Sequence, residues 1–466
     1  MPRTNDKKLR ILHISDIHYS NKNMDAFERM VKAPFLEFIK EKNKEKQIDV
    51  ICLTGDLINQ GTGGFASTEE ALSNFDKDFL SPLIDVLNID KQSIFICPGN
   101  HDVNRELDKD DENKIKQQLS TNKKNTEINK IINEKRTIEE HVGINRMLPF
   151  KRYEEAFYKD NDDSTISYFD SYHVRCVNNV KLGILCVNSA WRCFDDDSKI
   201  ILGINQIQNN YPKIRDNDFN ILLSHYKIDK CSDIDTMTEN IITNFNLCCF
   251  GHTHSSGSAS ITDSINRKTV ISVSKGLIPS NWMEENHNYE NGFSIIDIDL
   301  SSDDISVTVT PYTYSGSEKN TFVLDTHALG KDEAAQHSLS KRIIHTEEVF
   351  SETIRKEYSE YLLRLLNIQF HSYINRTISD SQNPEKTFSL FEELKKYRKI
   401  VLLANAGMGK TFEALQLSQR ILTDKKFGNY IPIFLKANLY KTSFDTLEEG
   451  IKEQLRPCQQ LFNFSC

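Results

Sequence analysis

Five short apolar runs in this chain each end in a cluster of acids, amides or imidazoles. The runs at residues 10–15, 50–54, 94–98, 220–224 and 247–250 are rich in Ile, Val, Leu, Cys and Phe. They lead into Asp16-Ile17-His18, Gly55-Asp56, Gly99-Asn100-His101-Asp102, His225 and Gly251-His252-Thr253-His254, in that order. Short, nearly continuous apolar runs read as parallel strands buried on both faces. In open α/β sheets, ligands bind beyond the carboxyl ends of such strands. Packing does not call for five strand ends that offer Asp, Asn and His to one crevice. The expectation is an α/β protein with a catalytic metal centre at its strand ends.

The residue types suit two divalent cations held side by side. Cations about 3.5–4 Å apart share an anionic oxygen donor, and Asp56 is the best candidate for that bridge. Imidazole suits zinc and iron, and carboxylates and amides also accept manganese, so the donor set fits a Mn/Fe/Zn-type pair. No cysteine joins it, which argues against a closed structural zinc site. A water between two such cations ionises near neutral pH and attacks phosphorus in line, while the cations and cationic neighbours stabilise the equatorial oxygens. Each run taken singly has a bland reading as a turn with solvated side chains; the ordered conjunction tells against it. His13 and His173 lie inside strand-like runs and read as packed or hydrogen-bonded core residues.

The arrangement resembles the calcineurin-like metallophosphoesterase superfamily over roughly residues 8–315, with all five motifs present in order. The resemblance implies a two-sheet β-sandwich flanked by helices. It implies one metal on Asp16, His18, Asp56 and His254, and a second on Asp56, Asn100, His225 and His252. It places His101 beside the substrate, to stabilise the transition state or protonate the leaving oxygen, with Asp102 orienting its ring. The opening run Leu12-His13-Ile14-Ser15-Asp16-Ile17-His18 looks most like the branch that includes cyclic-nucleotide phosphodiesterases.

A second feature lies downstream. The apolar run 399–403 is followed by Ala404-Asn405-Ala406-Gly407-Met408-Gly409-Lys410-Thr411 and a helix-like stretch at 412–421. Strand, glycine loop, Lys-Thr and helix form the setting of a phosphate-binding loop. Backbone amides at Gly407 and Gly409 would wrap the phosphates, Lys410 would reach the β/γ-phosphates, and Thr411 would hold magnesium, so ATP with Mg is the expected ligand. A glycine-rich turn without a ligand is the bland alternative. Ala404 stands where the usual pattern has glycine. The form AGMGKT, with Tyr430-Ile431-Pro432-Ile433-Phe434-Leu435 after it, looks like the NACHT or STAND group of signalling NTPases. Beyond Lys410 no apolar run ends in paired acids, the place of a second magnesium-binding carboxylate and water activator. The expected architecture is therefore a metallophosphoesterase domain at 1–315, a linker at 316–390, and a truncated P-loop α/β domain at 391–466. The chain reads as a fragment of a longer protein, unable to hydrolyse ATP alone.

Composition agrees with this division. A chain of 466 residues has the length of two to three domains. A net charge of −9 supplies no broad field for nucleic acid. Ten cysteines show no CxxC pairing, and several fall in strand-like runs as small buried hydrophobes would. The polar N-terminus lacks an apolar leader segment and no apolar stretch reaches about 18 residues, so no membrane contact is expected and a reducing cytoplasm is the expected location.

Three stretches lie between the motifs. Residues 104–160 are charge-dense and helical in pattern, either a cap over the metal crevice or a solvated insertion. Arg192 could pair with a substrate phosphate and Trp191 stack on a base, although core and rim packing is the commoner reading. Residues 168–187 and 267–313 alternate like antiparallel strands of a second sheet. In the linker, Ile343, Ile344, Val349, Phe350, Ile354, Tyr358, Tyr361, Leu362 and Leu365 fall at helical spacing, which suggests packing on the NTPase or a homo-oligomer contact.

The leading reading is a phosphodiesterase or nuclease effector, acting on a nucleotide or nucleic acid and regulated by a STAND-type NTPase. Such bacterial fusions, by resemblance, serve immunity against viruses. The alternatives are a phosphomonoesterase, including a protein phosphatase, and a nucleotide-dependent signalling scaffold without turnover.

Overall fold

The computed structural model describes residues 7–109, 124–193, 200–234, 242–263, 267–278, 290–302, 304–315, 320–329 and 334–340, with residues 378–379, 387–388, 417–418 and 421 beyond them. The chain divides after Arg342 into two units. In the second unit, Ile378–Ser379 pairs antiparallel with Thr387–Phe388. The phosphate-binding loop at 404–411 and most of the expected linker lie outside the described residues.

The first unit is built on two seven-stranded sheets. The first contains β1 (Lys8–Ile14), β2 (Val50–Leu53), β3 (Ile94–Ile96), β11 (Gly292–Asp299), β12 (Asp304–Ser315), β13 (Thr321–Leu324) and β14 (Ala335–Ser340). The second contains β4 (Ser164–Ile166), β5 (Asp170–Val177), β6 (Val180–Val187), β7 (Phe219–Ser224), β8 (Leu247–Phe250), β9 (Gly257–Thr262) and β10 (Lys268–Val273). Strands β1, β2 and β3 run parallel, as do β6, β7, β8 and β10. Antiparallel strands close both sheets.

The period-2 alternation of side chains explains the layering. Leu9, Ile11, Val50, Cys52 and Phe95 point from the first sheet into a core shared with Leu182, Ile184, Cys186, Ile221, Leu223 and Cys249 of the second. Their neighbours Leu12, Ile14, Ile51, Leu53, Ile94 and Ile96 face the opposite way, into a helical layer that includes Phe35, Ile39, Phe75, Phe79 and Phe150. On the far side of the second sheet, Leu185, Leu222, Cys248 and Phe250 meet Ile207, Ile214 and Ile228. A strand buried on both faces is apolar at most positions, with its few polar side chains hydrogen-bonded, which is why these runs stand out in the sequence.

Two expectations need correction. The stretch 267–313 is shared between the sheets: β10 lies in the second, but β11 and β12 lie in the first, where β11 pairs antiparallel with β1. Alternation identifies a strand without naming the sheet that receives it. The first sheet also runs on past residue 315, because β13 and β14 both pair with β12. Trp191 takes the commoner of its two readings, core packing, and not stacking on a base. It is buried, its indole N–H donates to Leu202 O at 3.2 Å, and its ring meets Phe169 edge-on at 5.4 Å.

The charge-dense insertion is packed where it is described. Helix Lys124–Glu134 buries Ile128, Ile131 and Ile132, and helix Leu148–Phe157 buries Phe150 and Phe157. The second helix also buries a Lys151–Glu154 ion pair.

Candidate metal centre

Each parallel strand of the inner pairings ends in a sharp turn that lifts polar side chains out of the apolar layers. Past the end of β1, Asp16 N donates to Gly55 O at 3.0 Å, and Ile17 N and His18 N donate to Asp56 O at 2.8 and 2.9 Å. The tails of β1 and β2 thus stay bound to one another beyond the sheet. Asp16, His18, Asp56, His252 and His254 all hold left-handed backbone conformations, with φ of 52°, 48°, 52°, 68° and 49°. Non-glycine residues rarely adopt that region, and clusters of such residues mark functional sites. Here they turn five donors toward one point.

The glycines before these donors make room for them. A Cβ on Gly99 would sit 2.2 Å from Asp56 Oδ1, and a Cβ on Gly251 would lie 1.9 Å from Ser15 Oγ and 2.9 Å from Asp16 Oδ2. No side chain fits at either position.

Asp16 and Asp56 are fully buried and similarly held. One oxygen of each is tied to a backbone amide: His252 N donates to Asp16 Oδ2 at 3.0 Å, and His101 N to Asp56 Oδ1 at 2.7 Å. The other oxygen of each faces imidazoles. Asp56 Oδ2 lies 3.4 Å from His225 Nε2 and 3.6 Å from His18 Nε2. Asp16 Oδ1 lies 3.2 Å from His254 Nε2 and 3.9 Å from His18 Nε2. On the His225 side, Asn100 Oδ1 is 2.9 Å from His225 Nε2, and His225 Nδ1 donates to Thr54 O at 2.8 Å. That backbone bond fixes the ring and leaves Nε2 for the site. The His252 ring stands 5.2 Å from that of His225 and 4.3 Å from that of Tyr226.

Three overlapping groups of potential ligands result among the described residues: Asp16, His18 and His254; His18, Asp56 and His101; Asp16, Asp56 and His225. Asp56 belongs to two of them. Of the seven donors expected from the sequence, Asp16, His18, Asp56, His225 and His254 fall within these groups, while Asn100 and His252 lie outside them and contact His225.

The protonation states of Asp16, Asp56, His18 and His252 suit cations, whereas His225 would have to give up a proton to bind one. Burial alone would raise both carboxyls, but the surrounding imidazoles hold Asp16 below its ordinary value and Asp56 well below it. Burial depresses His18 and His252 to about 4, which leaves neutral rings with lone pairs to offer. Burial also opposes the charge on His225, yet Asp56 beside it raises that ring to about 9. Two buried carboxylates facing three imidazoles, with Asp16 Oδ1 lacking a well-formed hydrogen bond, is a donor set that divalent cations fit.

His101 lies at the rim, its ring 4.4 Å from that of His18 and nearly perpendicular to it. Asp102 does not orient that ring as expected. Its Oδ1 accepts from Ile58 N at 3.1 Å and its Oδ2 from Gly99 N at 2.8 Å, so it braces the turn instead. Burial and the charge of Asp56 push Asp102 up to about 7 against those two amides. The side chain on His101 is Asn59, whose Oδ1 is 3.0 Å from Nδ1. Asn59 went unread in the sequence, although its place three residues after Asp56 was the available signal. Arg192 is buried. His13 is a core residue as expected, with Nδ1 3.0 Å from Ser272 Oγ and Nε2 3.0 Å from Thr54 Oγ1. His173 is likewise buried, bonded to Ser164 Oγ at 2.7 Å.

A two-sheet sandwich with this donor cluster at its parallel strand ends defines a metal-dependent phosphoesterase. The chain belongs to the calcineurin-like phosphoesterase family, whose model matches residues 9–256, more than half of its length. It is 29% identical over 100 residues to the "uncharacterized metallophosphoesterase-like protein YydB" of Bacillus subtilis (strain 168), a match covering 22% of this chain and 19% of that protein. The chain thus spans about a fifth of the length of the curated relative it matches. Among solved structures, it overlaps slightly with a Vps29 single mutant from Entamoeba histolytica, with a TM-score of 0.27 and 10% identity, over 71% of this chain and 99% of that one. Chaetomium thermophilum Vps29 gives a TM-score of 0.27 and 10% identity over 72% and 98%. Among the described residues, no helix is long and apolar enough to cross a membrane.

Proposed function

We propose that this chain is a dinuclear phosphodiesterase or nuclease. The observation that carries the reading is Asp56 Oδ2, one buried carboxylate oxygen set between His225 and His18. Asp16, His18, Asp56 and His254 would hold one cation, and Asp56, Asn100, His225 and His252 the other. When bound, such a pair supplies Lewis acidity for phosphoryl oxygens and a strong nucleophile at neutral pH.

The rest is the work of this chain's own side chains. The 3.0 Å contact to Asn59 Oδ1, shorter than the 3.4 Å approach of Gln60 N to the same nitrogen, favours the proton on Nδ1 of His101. Nε2 is then the nitrogen that meets the substrate, and when the ring carries a second proton there, Nε2 passes that proton to the leaving oxygen. Thr54 O fixes the tautomer of His225, and the amides of His101 and His252 hold the carboxylates in register.

Regulation by a STAND-type NTPase belongs to the same proposal and is supported by the sequence of residues 399–421 alone. There Gly407, Gly409, Lys410 and Thr411 would bind ATP with Mg. A part in bacterial antiviral defence follows from the likeness to such fusions.

The test is a manganese-supplemented assay with bis-aryl phosphate, mono-aryl phosphate, cyclic nucleotides and single-stranded DNA. Hydrolysis of diesters is the expected result. Turnover of the monoester alone would move the reading to a phosphomonoesterase. Bound metal with no turnover of any of them would leave a scaffold.

A further inference from the structure

Behind the Asp16 side of the centre, a buried lysine gathers three oxygen ligands. Lys275, 8% exposed, follows β10 and places Nζ 2.8 Å from Asp325 Oδ2, 3.0 Å from Glu290 Oε2 and 3.0 Å from Thr313 Oγ1. Asp325 is 1% exposed and sits where the chain leaves β13. Its backbone N–H donates to Pro311 O at 3.0 Å, and its Oδ1 accepts from Ala328 N at 3.2 Å. Ser256, two residues past His254, lies beside the same carboxylate.

The residues flanking Lys275 hold the first metal-ligand turn. Ser274 Oγ donates to His13 O at 3.2 Å, and Leu277 N donates to Asp16 O at 3.0 Å. Gly276 bridges to Ser15, and a Cβ there would come within 2.9 Å of Asp16 O. On its other side, Gly276 O accepts from Gly292 N at 2.9 Å. The 274–278 segment is thus wedged between Asp16 and β11, and Lys275 anchors it to the end of β13. A buried ion pair adds little net stability over an apolar pair of the same shape, whereas breaking it leaves a charge uncompensated. Its fixed geometry is the more telling property here.

We propose that Lys275 and Asp325 form a brace that positions Asp16, so that the end of β13 sets how well the first cation site is formed. This rests on the reading of the donor cluster as a metal centre. Lys275 and Asp325 are positioning residues; neither touches substrate.

The test uses the full chain, with thermal unfolding measured with and without excess MnCl2 and with Mn2+ affinity measured by titration. Asp325→Asn keeps the shape and leaves Glu290 as a counter-charge. Lys275→Arg is the second variant should the first fail to fold. Arg10→Gln breaks a comparable ion pair to Asp297 at the far end of β1 and is the comparison. The brace predicts that Asp325→Asn and Lys275→Arg weaken Mn2+ binding about tenfold and shrink the metal-induced rise in Tm, whereas Arg10→Gln lowers Tm and keeps that rise. A metal-induced rise as large in Asp325→Asn and Lys275→Arg as in the wild type would overturn the brace. No metal-induced rise in the wild type itself would overturn the metal-centre reading, and the brace with it.

Discussion

Asn59 Oδ1 lies 3.0 Å from Nδ1 of His101, and this contact fixes the ring that overhangs the buried donors. An asparagine in this place orients the imidazole without adding a charge. Asn59→Ala should lower kcat about 10–100-fold, the usual loss for a partner that orients a functional histidine. KM and metal content should change little. Steady-state kinetics with metal analysis checks this, and a loss confined to KM would count against an orienting role.

His101→Ala should retain both metals and lose rate, more for esters with poor leaving groups than for those with good ones. A series of aryl phosphodiesters of graded leaving-group acidity reads this out. Equal losses across the series would remove proton donation from the role of His101.

Asp56→Asn replaces the shared anionic oxygen with a neutral one. Turnover should vanish and bound metal should fall well below the wild-type content, because an amide tolerates two adjacent cations poorly. Near-normal activity would refute the bridging assignment.

Gly99→Ala places a methyl group 2.2 Å from Asp56 Oδ1. The carboxylate must move, and a displacement of about 1 Å at a catalytic group can cost on the order of 100-fold in rate. The expected result is a loss of kcat of that order with the fold preserved by circular dichroism. Unchanged activity would mean that the turn yields without disturbing Asp56.

His173 gives the protein an acid-sensitive core. Burial, with Lys151 nearby, depresses its pKa to about 3 from the ordinary 6.5. The unfolded chain therefore takes up the proton first as pH falls. The stability tied to the neutral ring is fully present above about pH 6.5 and is lost progressively down toward pH 3. Each pH unit within that window costs up to about 1.4 kcal/mol. Denaturant unfolding at pH 7.5 and pH 5 should include a fall of about 2 kcal/mol from this residue, which His173→Gln should remove while His13, His18 and His252, also depressed by burial, keep theirs. An equal fall in the variant would assign the acid sensitivity elsewhere.

The strands that carry the donors were legible because burial on both faces removes most polar residues from them, and all of them from β2 and β8. The donors were legible because glycines and polar residues interrupt those runs at once. Asn59 was not, because its contact with His101 joins residues 42 positions apart and exists only after β2 and β3 pair. The Asp102 role was misread for a local reason: its carboxylate turns back to the amide of Gly99, three residues before it. Strand β14, Ala335–Ser340, escaped notice since Leu339 is its one buried residue. The placement of β11 and β12 could not be read from alternation, which marks a half-buried face and leaves its partner open.

The donors are contributed by both sheets: Asp16, His18, Asp56 and Asn100 follow strands of the first, and His225, His252 and His254 follow strands of the second. Cations seated there would rivet the two halves of the sandwich at one end of their seam. Chelation should then do more than stop chemistry. It should let that end splay, and hydrogen exchange should quicken first at the amides of Asp16, His101 and Gly251, well before the shared core around Ile11 and Ile221 opens.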